Sequence, residues 1–323
     1  PLIFLSSPDL KVRLPEAALT HVVERHEIAR ALTHGEYRGS RPQRIVNRPV
    51  MKAVVRALAV LGFRPSQAKR RVGEYELGGL LAEGLGYQDH LGVHHTIEGR
   101  NARVRSYLVP RATTTDRKQQ LERAARREAQ VLTRLGEHPS ILSCLDFVST
   151  APLGPALLFE SFDEGIPLDQ LLRLRPDLPF DDRVEVIHQV AEAVEYCHRH
   201  RVLHRMLCPR SILVRKRGSG KVEVKVHSFQ LALREEGATT GTFHLTAHAD
   251  AEQLVYQAPE VVQDPTKATE ASDIFSVGAV AYFVLTGQAP ASSLGDLERL
   301  LEAQGSLHVA GVRDDLPASL DEG

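Results

Sequence analysis

The sequence predicts an α+β protein in two lobes, because strand patterns come first and helix patterns dominate afterwards. Several apolar or alternating segments have the length of strands. They are residues 75–81, 102–109, 155–161 and 222–229. Other segments carry apolar residues at helical spacing. They are residues 115–135, a helix that begins at Asp181, and residues 272–287, which are apolar nearly all round and therefore expected to be buried.

The composition is that of an ordinary globular protein. The chain has 323 residues, of which 42% are hydrophobic and 25% are charged, and its net charge of −1 favours neither nucleic acid nor membrane. Three cysteines, Cys144, Cys197 and Cys208, form no paired framework, so we expect a cytoplasmic protein. No apolar run approaches the roughly 18 residues of a membrane span, so we expect no membrane partner.

The charge is nevertheless uneven along the chain. Residues 1–71 carry 14 Lys and Arg against 5 Asp and Glu, a net charge of +9. Residues 291–323 carry 2 against 7, a net charge of −5. Solvated surfaces in an Arg-rich composition are the favoured explanation. The alternative is a basic face that binds nucleic acid or a partner domain.

Residues 1–72 are predicted to form an N-terminal accessory segment. Its first residues alternate loosely as strands do, and Asn47 begins a helix that ends before Gly62. Residues 64–73 are polar and basic, as in a linker. A second domain is predicted over residues 73–323. The last residues have the pattern of another helix, so we expect the chain to be a piece of a longer protein.

Four short motifs follow one another in the second domain. Residues 204–214 read HRMLCPRSILV, residues 228–230 read SFQ after a strand, and residues 256–262 read YQAPEVV. The apolar helix at 272–287 comes next. In this order they resemble the catalytic loop H-R-D-L-x-x-x-N, the D-F-G, the A-P-E and the buried helix of protein kinases.

This resemblance covers about residues 73–323. It implies a kinase-like fold with a β-rich N-lobe over 73–160 and a mainly helical C-lobe over 161–323, truncated at the C-terminus. Within that frame the sequence departs from the family at the positions that carry its chemistry.

The resemblance implies that catalytic groups are missing. Met206 stands where the family has its catalytic Asp, and a thioether cannot take a proton from a hydroxyl. Ser211 and Ser228 replace the Asn and the Asp that bind the metal ions, and Cys208 replaces a loop Lys. Because Mg²⁺ favours carboxylate oxygen, two hydroxyls make a poor site. We therefore expect no catalytic residue, no bound metal and no ordinary kinase activity.

The glycine-rich loop is also altered. Residues 82–89 read AEGLGYQD, against the family's G-x-G-x-x-G-x-V. Gly84 matches the second glycine, whereas Ala82 and Tyr87 replace the first and the third. Glycines let the backbone approach phosphates, and a Tyr side chain obstructs that approach. Asp89 takes the position of the Val that covers the adenine.

Residues 102–105 match the family's V-A-I-K strand. Arg105 then stands at the Lys and Arg103 at the small Ala beneath the adenine. We expect Asp89 and Arg103 to meet as an ion pair that fills the adenine position. The alternative is a solvated pair beside an open pocket. A shift of the alignment by two residues would instead place Tyr107 at the Lys.

The helix at 115–135 carries one carboxylate, Glu128, on its apolar face. A carboxylate in such surroundings needs a partner, and Arg105 can offer it a two-pronged contact. Glu128 matches the family's helix Glu, while the alternative is an edge residue that reaches solvent. If nucleotide binds at all, Gly84, Arg105 and Glu128 are the residues expected to contact it.

Architectural positions of the family are retained. Positions of its hydrophobic spine are matched by Leu132, His204 and Phe229, and the buried helix keeps its acid, Asp273. Arg205 is able to pair with a phosphorylated residue, for which Thr239, Thr240 and Thr242 are candidates, although the favoured alternative is that these polar loop threonines have no such role. Glu260 of the A-P-E motif is expected to pair with an Arg that the intact protein supplies.

A zinc site is not expected, although several possible ligands lie close in sequence. They are Cys197, His198, His200, His204 and Cys208. Their spacing is unlike that of zinc motifs, and they coincide with the helix end and loop that kinases share.

The phrase RRVGEYELGGLLAEGLGYQDH, together with a short leading piece, resembles large bacterial proteins that join a NERD domain to kinase domains. The phage-defence kinases of the Pgl and BREX systems are of this type. The resemblance implies that residues 1–40 are the end of the nuclease-related NERD domain, whose carboxylates would lie upstream.

The main prediction is a pseudokinase that serves as a regulatory or docking module in a larger bacterial protein. Its expected partners are neighbouring domains of the same polypeptide or a partner protein, and ATP is expected to bind weakly, without Mg²⁺, if at all. One alternative is an enzyme with weak or unusual kinase or nucleotidyl-transfer activity that uses Asp89 and Asp163. The other is a nucleic-acid-associated module that uses the basic N-terminal segment.

Overall fold

The computed structural model describes residues 2–4, 11–13, 70–84, 86–108, 115–216, 218, 220–234, 250–309 and 312. The chain divides into two compact units, Pro1–Ala68 and Lys69–Gly323. In the first unit, strand β1 (Leu2–Phe4) pairs antiparallel with β2 (Lys11–Arg13). The predicted helix from Asn47 and the threonines of 239–242 lie outside the described residues.

The N-lobe of the second unit is built on an antiparallel sheet of six strands in the order β3-β4-β5-β6-β8-β7. The strands are β3 (Arg71–Val72), β4 (Tyr75–Gly84), β5 (Tyr87–His94), β6 (Asn101–Tyr107), β7 (Cys144–Val148) and β8 (Ala156–Glu160). One long helix, α1 (Thr115–Leu135), packs against this sheet through Ala125, Val131 and Leu132. The sheet begins at Arg71, two residues before the predicted start of the domain at 73.

The C-lobe is mainly helical. Its helices are α2 (Leu168–Leu174), α3 (Phe180–Arg199), α4 (Ala251–Leu254), α5 (Pro259–Gln263), α6 (Glu270–Thr286) and α7 (Leu294–Gln304). Its short strands are β9 (Ile166–Pro167), β10 (Val202–Leu203), β11 (Ile212–Lys216), β12 (Val222–Val226) and β13 (Leu233–Arg234). In the described part of this lobe, 3₁₀ turns lie at Pro209–Ser211, Phe229–Leu231 and Pro265–Lys267.

Helix α6 shows how the sequence defines the C-lobe core. Thr269 and Ser272 form a capping box at its start, and Gly287 ends it with a left-handed φ of 75°. Ala279 and Val284 are fully buried, as expected for a helix that is apolar nearly all round, although Ile274 stays exposed. The α+β fold in two lobes is confirmed.

The predicted strand at 222–229 is too long. Strand β12 ends at Val226, and Ser228 adopts a left-handed conformation with φ 73° and ψ 50°. Because an extended strand cannot contain that conformation, the chain turns here into the 3₁₀ turn Phe229–Leu231. No helix in the described part of the chain is both long and apolar enough to cross a membrane.

Candidate functional site

The candidate site is built on one face of two neighbouring strands. β5 and β6 pair so that Asp89 lies opposite Arg105 and Leu91 opposite Arg103. Because side chains alternate along a strand, Arg103, Arg105 and Tyr107 share one face of β6. All three are buried, and so is Asp89. The pairing of β5 and β6 therefore desolvates several charged groups at one place.

Asp89 is held by two guanidinium groups. Its Oδ2 accepts hydrogen bonds from Arg103 Nε at 2.8 Å and from Arg105 Nη2 at 2.9 Å, and its Oδ1 accepts one from Arg105 Nε at 2.8 Å. Burial would raise the pKa of Asp89, but the charges of Arg105 and Arg103 hold this pKa well below its ordinary value. The predicted ion pair of Asp89 with Arg103 is present, and it is buried rather than solvated.

All five N–H groups of Arg105 are engaged. Two of them bind the Asp89 carboxylate as described, and Nη1 donates to Glu128 Oε1 at 3.1 Å. The second N–H of Nη2 points to His227 Nδ1 at 3.2 Å. The second N–H of Nη1 donates to the Gln230 side-chain oxygen at 2.8 Å, in the amide orientation that satisfies the neighbours. Arg105 therefore has no N–H left for a phosphate unless one of these bonds breaks.

Glu128 is buried between Arg105 and Tyr107. The Tyr107 hydroxyl donates to its Oε2, and Arg105 donates to its Oε1. Burial raises the pKa of Glu128, and the Arg105 charge and the Tyr107 hydrogen bond oppose that increase. The expected contact with Arg105 is confirmed, and the alternative that Glu128 reaches solvent is wrong. Arg105 and Tyr107, which the sequence offered as alternatives for one position, both bind this carboxylate.

Tyr87 covers this cluster of charges. Its ring centroid lies 4.3 Å from Arg105 Cζ, which is a cation–π contact. Burial raises the pKa of Tyr87, while Arg105 and a hydrogen bond with Ser228 act in the opposite direction. A Cβ at Gly84 would lie 2.3 Å from Tyr87 Cε1. Gly84 therefore makes room for the Tyr87 ring, a role that the sequence did not indicate.

Met206 lies in apolar surroundings at the position of the family's catalytic Asp. It is buried in a cluster with Leu231, Ala258, Val261 and Val262. The same side chain also lines the cleft between the lobes. The cleft is therefore lined here by a thioether, which cannot act as a base.

Ser211 and Ser228 are both bound to nearby protein groups. Ser211 Oγ donates to Cys208 O at 2.8 Å and accepts from Cys208 N at 3.0 Å, which closes the turn Pro209–Ser211. Ser228 Oγ lies 2.7 Å from His227 Nδ1. Burial raises the pKa of Cys208, so its sulfur stays a thiol. The two hydroxyls at the family's metal-ligand positions are thus both hydrogen-bonded to neighbouring protein groups.

Asp273 of α6 holds the loop that contains Met206. Its Oδ2 accepts from His204 N at 2.7 Å, and its Oδ1 accepts from Arg205 N at 2.8 Å. His198 Nε2 lies 3.1 Å from Oδ2. Arg205 has a left-handed φ of 65°, which these bonds to its own N–H and its neighbour's help to fix. Asp273 therefore fixes the backbone of the loop through residues 204 and 205, without a contact to Met206 or Ser211.

His204 connects this loop to the segment after β12. Its Nε2 donates to His227 O at 3.1 Å, and its ring centroid lies 4.6 Å from that of Phe229. Phe229 and Leu132 belong to the same buried core. The spine positions predicted from the sequence thus pack across the two lobes.

The described residues show neither of the pairings expected for Arg205 and Glu260. Arg205 Nη2 donates to Pro265 O at 3.0 Å and Nη1 to Leu231 O at 3.4 Å, so both contacts are with backbone carbonyls. Among the described residues, the Glu260 carboxylate has no hydrogen bond or ion pair. Its pairing with an Arg, and that of Arg205 with a phosphate, stay predictions.

Arg210 contributes contacts that the sequence did not reveal. Its Nη1 and Nη2 donate to Asp250 Oδ2 and Glu252 Oε2, each at 2.6 Å. Gln253 Nε2 donates to Cys208 Sγ at 3.7 Å. These bonds join the loop to the start of α4. Only the position of Arg210 within HRMLCPRSILV could have drawn attention to it.

A cleft of about 770 Å³ lies between the lobes. Its walls include Gly84 and Tyr87 from the N-lobe and Met206, Ser211 and Ser228 from the C-lobe. Among the buried charged groups of β5, β6 and α1, only that of Arg103 lines it. Asp89, Arg105 and Glu128 lie behind this wall.

The donors around the cleft do not fit Mg²⁺. Of its lining carboxylates, Asp169 and Asp250 both pair with Arg210, at 3.8 Å and 2.6 Å. The hydroxyls at the two metal-ligand positions are bound to their own loops. Within the described ranges, no three His, Cys, Asp or Glu side chains are grouped so that they could hold a metal ion. Cys197, His198, His200, His204 and Cys208 are among the residues searched, and they do not form such a group.

Comparison with known proteins decides the family. The model of the protein kinase domain matches residues 98–311. This chain belongs to the protein kinase family. It is 31% identical to the probable kinase PglW of Streptomyces coelicolor, over 97% of this chain and 21% of that protein.

Further relatives are eukaryotic and bacterial kinases. The chain is 30% identical to CBL-interacting protein kinase 21 of Oryza sativa, over 73% of this chain and 43% of that protein. It is 32% identical to the probable serine/threonine-protein kinase PknB of Lactococcus lactis, over 51% of this chain and 24% of that protein. The chain spans less than half the length of each of these relatives.

Proposed function

We propose that this chain is a pseudokinase, a catalytically silent kinase domain that serves as a regulatory or docking module of a larger protein. The observation that carries the proposal is the complete engagement of Arg105 by protein groups. The residue at the position of the phosphate-binding Lys has no donor left for a nucleotide.

The chemistry of phosphoryl transfer supports the same proposal. The reaction needs metal ions to neutralise the phosphates and an acid–base group to take the proton of the acceptor hydroxyl. Met206 cannot take a proton, and a missing general base alone costs about 10²–10⁴ in rate. Ser211 and Ser228 offer no carboxylate, so a divalent ion would bind poorly.

A docking module acts through its surface, which must keep its shape without a ligand. Arg105 joins β6 to α1 through Glu128 and to the segment after β12 through His227 and Gln230. These side-chain contacts link the N-lobe to the C-lobe without a ligand, in addition to the backbone hydrogen bonds of Ser140 and Leu142 with Val226. The partners that we propose are neighbouring domains of the parent polypeptide or a separate protein. The likeness to PglW supports a place in a bacterial phage-defence protein of the Pgl or BREX type.

The direct test is a phosphotransfer assay on the whole chain. With labelled ATP and Mg²⁺ or Mn²⁺, we expect no label on the chain itself or on a generic substrate that an active kinase modifies in the same buffer. Transfer that needs metal and that Arg105→Ala abolishes would refute the proposal. Arg126→Ala, on the outer face of α1, is the matched control for the loss of an arginine.

An enzyme with altered chemistry is the second candidate, and it would need acids that face the cleft. Of the acids that the sequence offered for it, Asp89 is buried under three hydrogen bonds, and Asp163 is not among the residues that line the cleft. Asp169 and Asp250 do line the cleft, and both pair with Arg210. An increase in melting temperature that requires both nucleotide and Mg²⁺ would favour this candidate.

The charge of residues 1–71 favours a third candidate, a nucleic-acid-associated module. Its electrostatic binding would weaken as salt is raised, because bound counterions are released from the polyanion. Binding of duplex DNA by the whole chain, with this salt dependence and weaker after Arg→Gln changes within residues 1–71, would support it.

A further inference from the structure

Arg103 uses only one of its three nitrogens in the buried charge cluster. Its Nε donates to Asp89 Oδ2 at 2.8 Å. Neither Nη1 nor Nη2 has a hydrogen bond to any residue that the structure describes, although the residue is only 7% exposed. Arg103 also lines the cleft. The outer edge of a nearly buried guanidinium is therefore available to whatever enters the cleft.

His227, in the segment after β12, provides a second donor on the C-lobe side of the same cleft. Its Nδ1 lies 3.2 Å from Arg105 Nη2, and an arginine can only donate. Nδ1 must therefore be the unprotonated nitrogen, so the proton of the neutral imidazole is on Nε2. Burial lowers the pKa of His227 well below its ordinary value, and Arg103 and Arg105 lower it further. Nε2 is buried and has no partner among the described residues.

Both groups can donate to an anion in the cleft. A buried donor without a partner, such as His227 Nε2, calls for an explanation, and the Nη groups of Arg103 face the cleft beside it. The two Nη groups of a guanidinium present parallel N–H bonds that match the two oxygens of a carboxylate or a phosphate. Asp89 cannot meet this need, because its oxygens already accept from Arg103 Nε and from Arg105.

We infer that Arg103 and His227 form an oxyanion subsite in the cleft, for a small molecule that carries a carboxylate or a phosphate and needs no metal. The cleft of about 770 Å³ lies in the range of small-molecule sites, roughly 300–1,000 Å³. Leu121, Ala124 and Leu231 line other parts of it, so an apolar or aromatic body fits beside the anionic group. The inference rests on the proposed function, because it assigns a metal-free ligand to the same cleft.

Calorimetric titration of the whole chain tests the inference. The probes are inorganic phosphate, phenyl phosphate and benzoate, at constant ionic strength and with excess chelator. We expect phenyl phosphate or benzoate to bind, and Arg103→Gln to weaken that binding about tenfold or more, the effect of losing a charge-assisted hydrogen bond. The better of these two probes shows whether the anionic group is a phosphate or a carboxylate.

Arg103→Lys is the second variant, for the case that Arg103→Gln does not fold. It keeps the charge but loses the two-pronged edge, so we expect weaker binding again. Arg210→Gln and Arg126→Gln are controls for other arginines, one lining the cleft and one outside it. No binding of any probe, or equal affinity in the Arg103 variants, would overturn the inference and leave the pseudokinase proposal intact. In a repeat with saturating Mg²⁺ in place of the chelator, binding of a probe only in the presence of the metal would contradict both.

Discussion

The two walls of the cleft differ from the kinase pattern in opposite directions. On the N-lobe side, Arg103 in the wall and Asp89 behind it are charged where the family has apolar side chains, and both are buried. On the C-lobe wall, Met206 and Ser228 remove the acids that the family uses. One wall has gained charged groups that bind each other, and the other has lost the groups that would bind a ligand.

This difference separates what maintains the fold from what performs the chemistry. The loop of Met206 keeps its backbone conformation because Asp273 accepts hydrogen bonds from His204 N and Arg205 N. Arg105 joins Asp89 and Glu128 of the N-lobe to His227, in the segment after β12 of the C-lobe. Neither arrangement needs a nucleotide or a metal ion. A kinase fold can therefore lose its catalytic groups while its supports are kept or replaced.

The largest expected effect is on the N-lobe wall. Arg105→Ala would leave Asp89 and Glu128 as buried carboxylates without their main partner. Removing one member of a buried ion pair costs about 3–5 kcal/mol of unfolding free energy. Urea unfolding followed by circular dichroism measures this loss, with the exposed Arg126→Ala, expected to cost less than about 1 kcal/mol, as control. Equal losses in the two variants would show that the cluster does not stabilise the fold.

A smaller effect is expected on the C-lobe wall. Met206→Asp restores the residue type of the family but places a carboxylate in the apolar cluster of Leu231, Ala258 and Val261. We expect unfolding free energy to fall by about 1–3 kcal/mol, the usual cost of an unsatisfied buried polar group. Met206→Leu, of similar volume, should cost less than about 1.5 kcal/mol. A gain of phosphotransfer in Met206→Asp would mean that only the base is missing from this cleft.

The contact between Gly84 and Tyr87 is tested by a double-mutant cycle. Gly84→Ala places a methyl group 2.3 Å from the Tyr87 ring, so we expect a cost of about 1–3 kcal/mol from overpacking. In a Tyr87→Ala background the same change should cost almost nothing. Equal losses of free energy in both backgrounds would show that the Tyr87 ring does not limit the size of residue 84.

The smallest expected effect is a difference in pH dependence. His227 has a folded-state pKa below its unfolded value of about 6.5, so the unfolded state takes up the proton first. Its contribution to stability is full above about pH 6.5 and falls as the pH decreases, at up to about 1.4 kcal/mol per pH unit. Burial also lowers the pKa of His204, so this residue contributes to the same pH dependence. The contribution of His227 is therefore measured against His227→Asn, whose unfolding free energy should change less steeply with pH. Identical slopes between pH 7 and 5 would contradict the buried neutral state of His227.

Local patterns in the sequence were sufficient for the main elements and for two contacts. Helix α1 has the predicted bounds because its apolar spacing is regular over its whole length. The pairs of Asp89 with Arg103 and of Arg105 with Glu128 were predictable because all four residues stand at known positions of the family pattern. The α+β class was predictable because strand patterns precede helix patterns along the sequence.

Other features could not be predicted, because they depend on distant parts of the chain meeting in the fold. His227 and Gln230 bind Arg105 across more than 120 positions of sequence, and no local pattern marks either residue. The end of β12 was missed because the left-handed conformation of Ser228 is unusual for a residue other than glycine. Tyr87 was recognised as an obstacle to phosphates, but its place over Arg105 follows only from the three-dimensional packing.

The most direct measurement is the affinity of the whole chain for ATP as a function of Mg²⁺ concentration. Because Arg105 is fully engaged and residues 211 and 228 offer only hydroxyls, we expect weak or undetectable binding that does not change between chelator and saturating Mg²⁺. An affinity that rises steeply with Mg²⁺ would contradict the account, because it would mean that the cleft holds a metal–nucleotide complex after all.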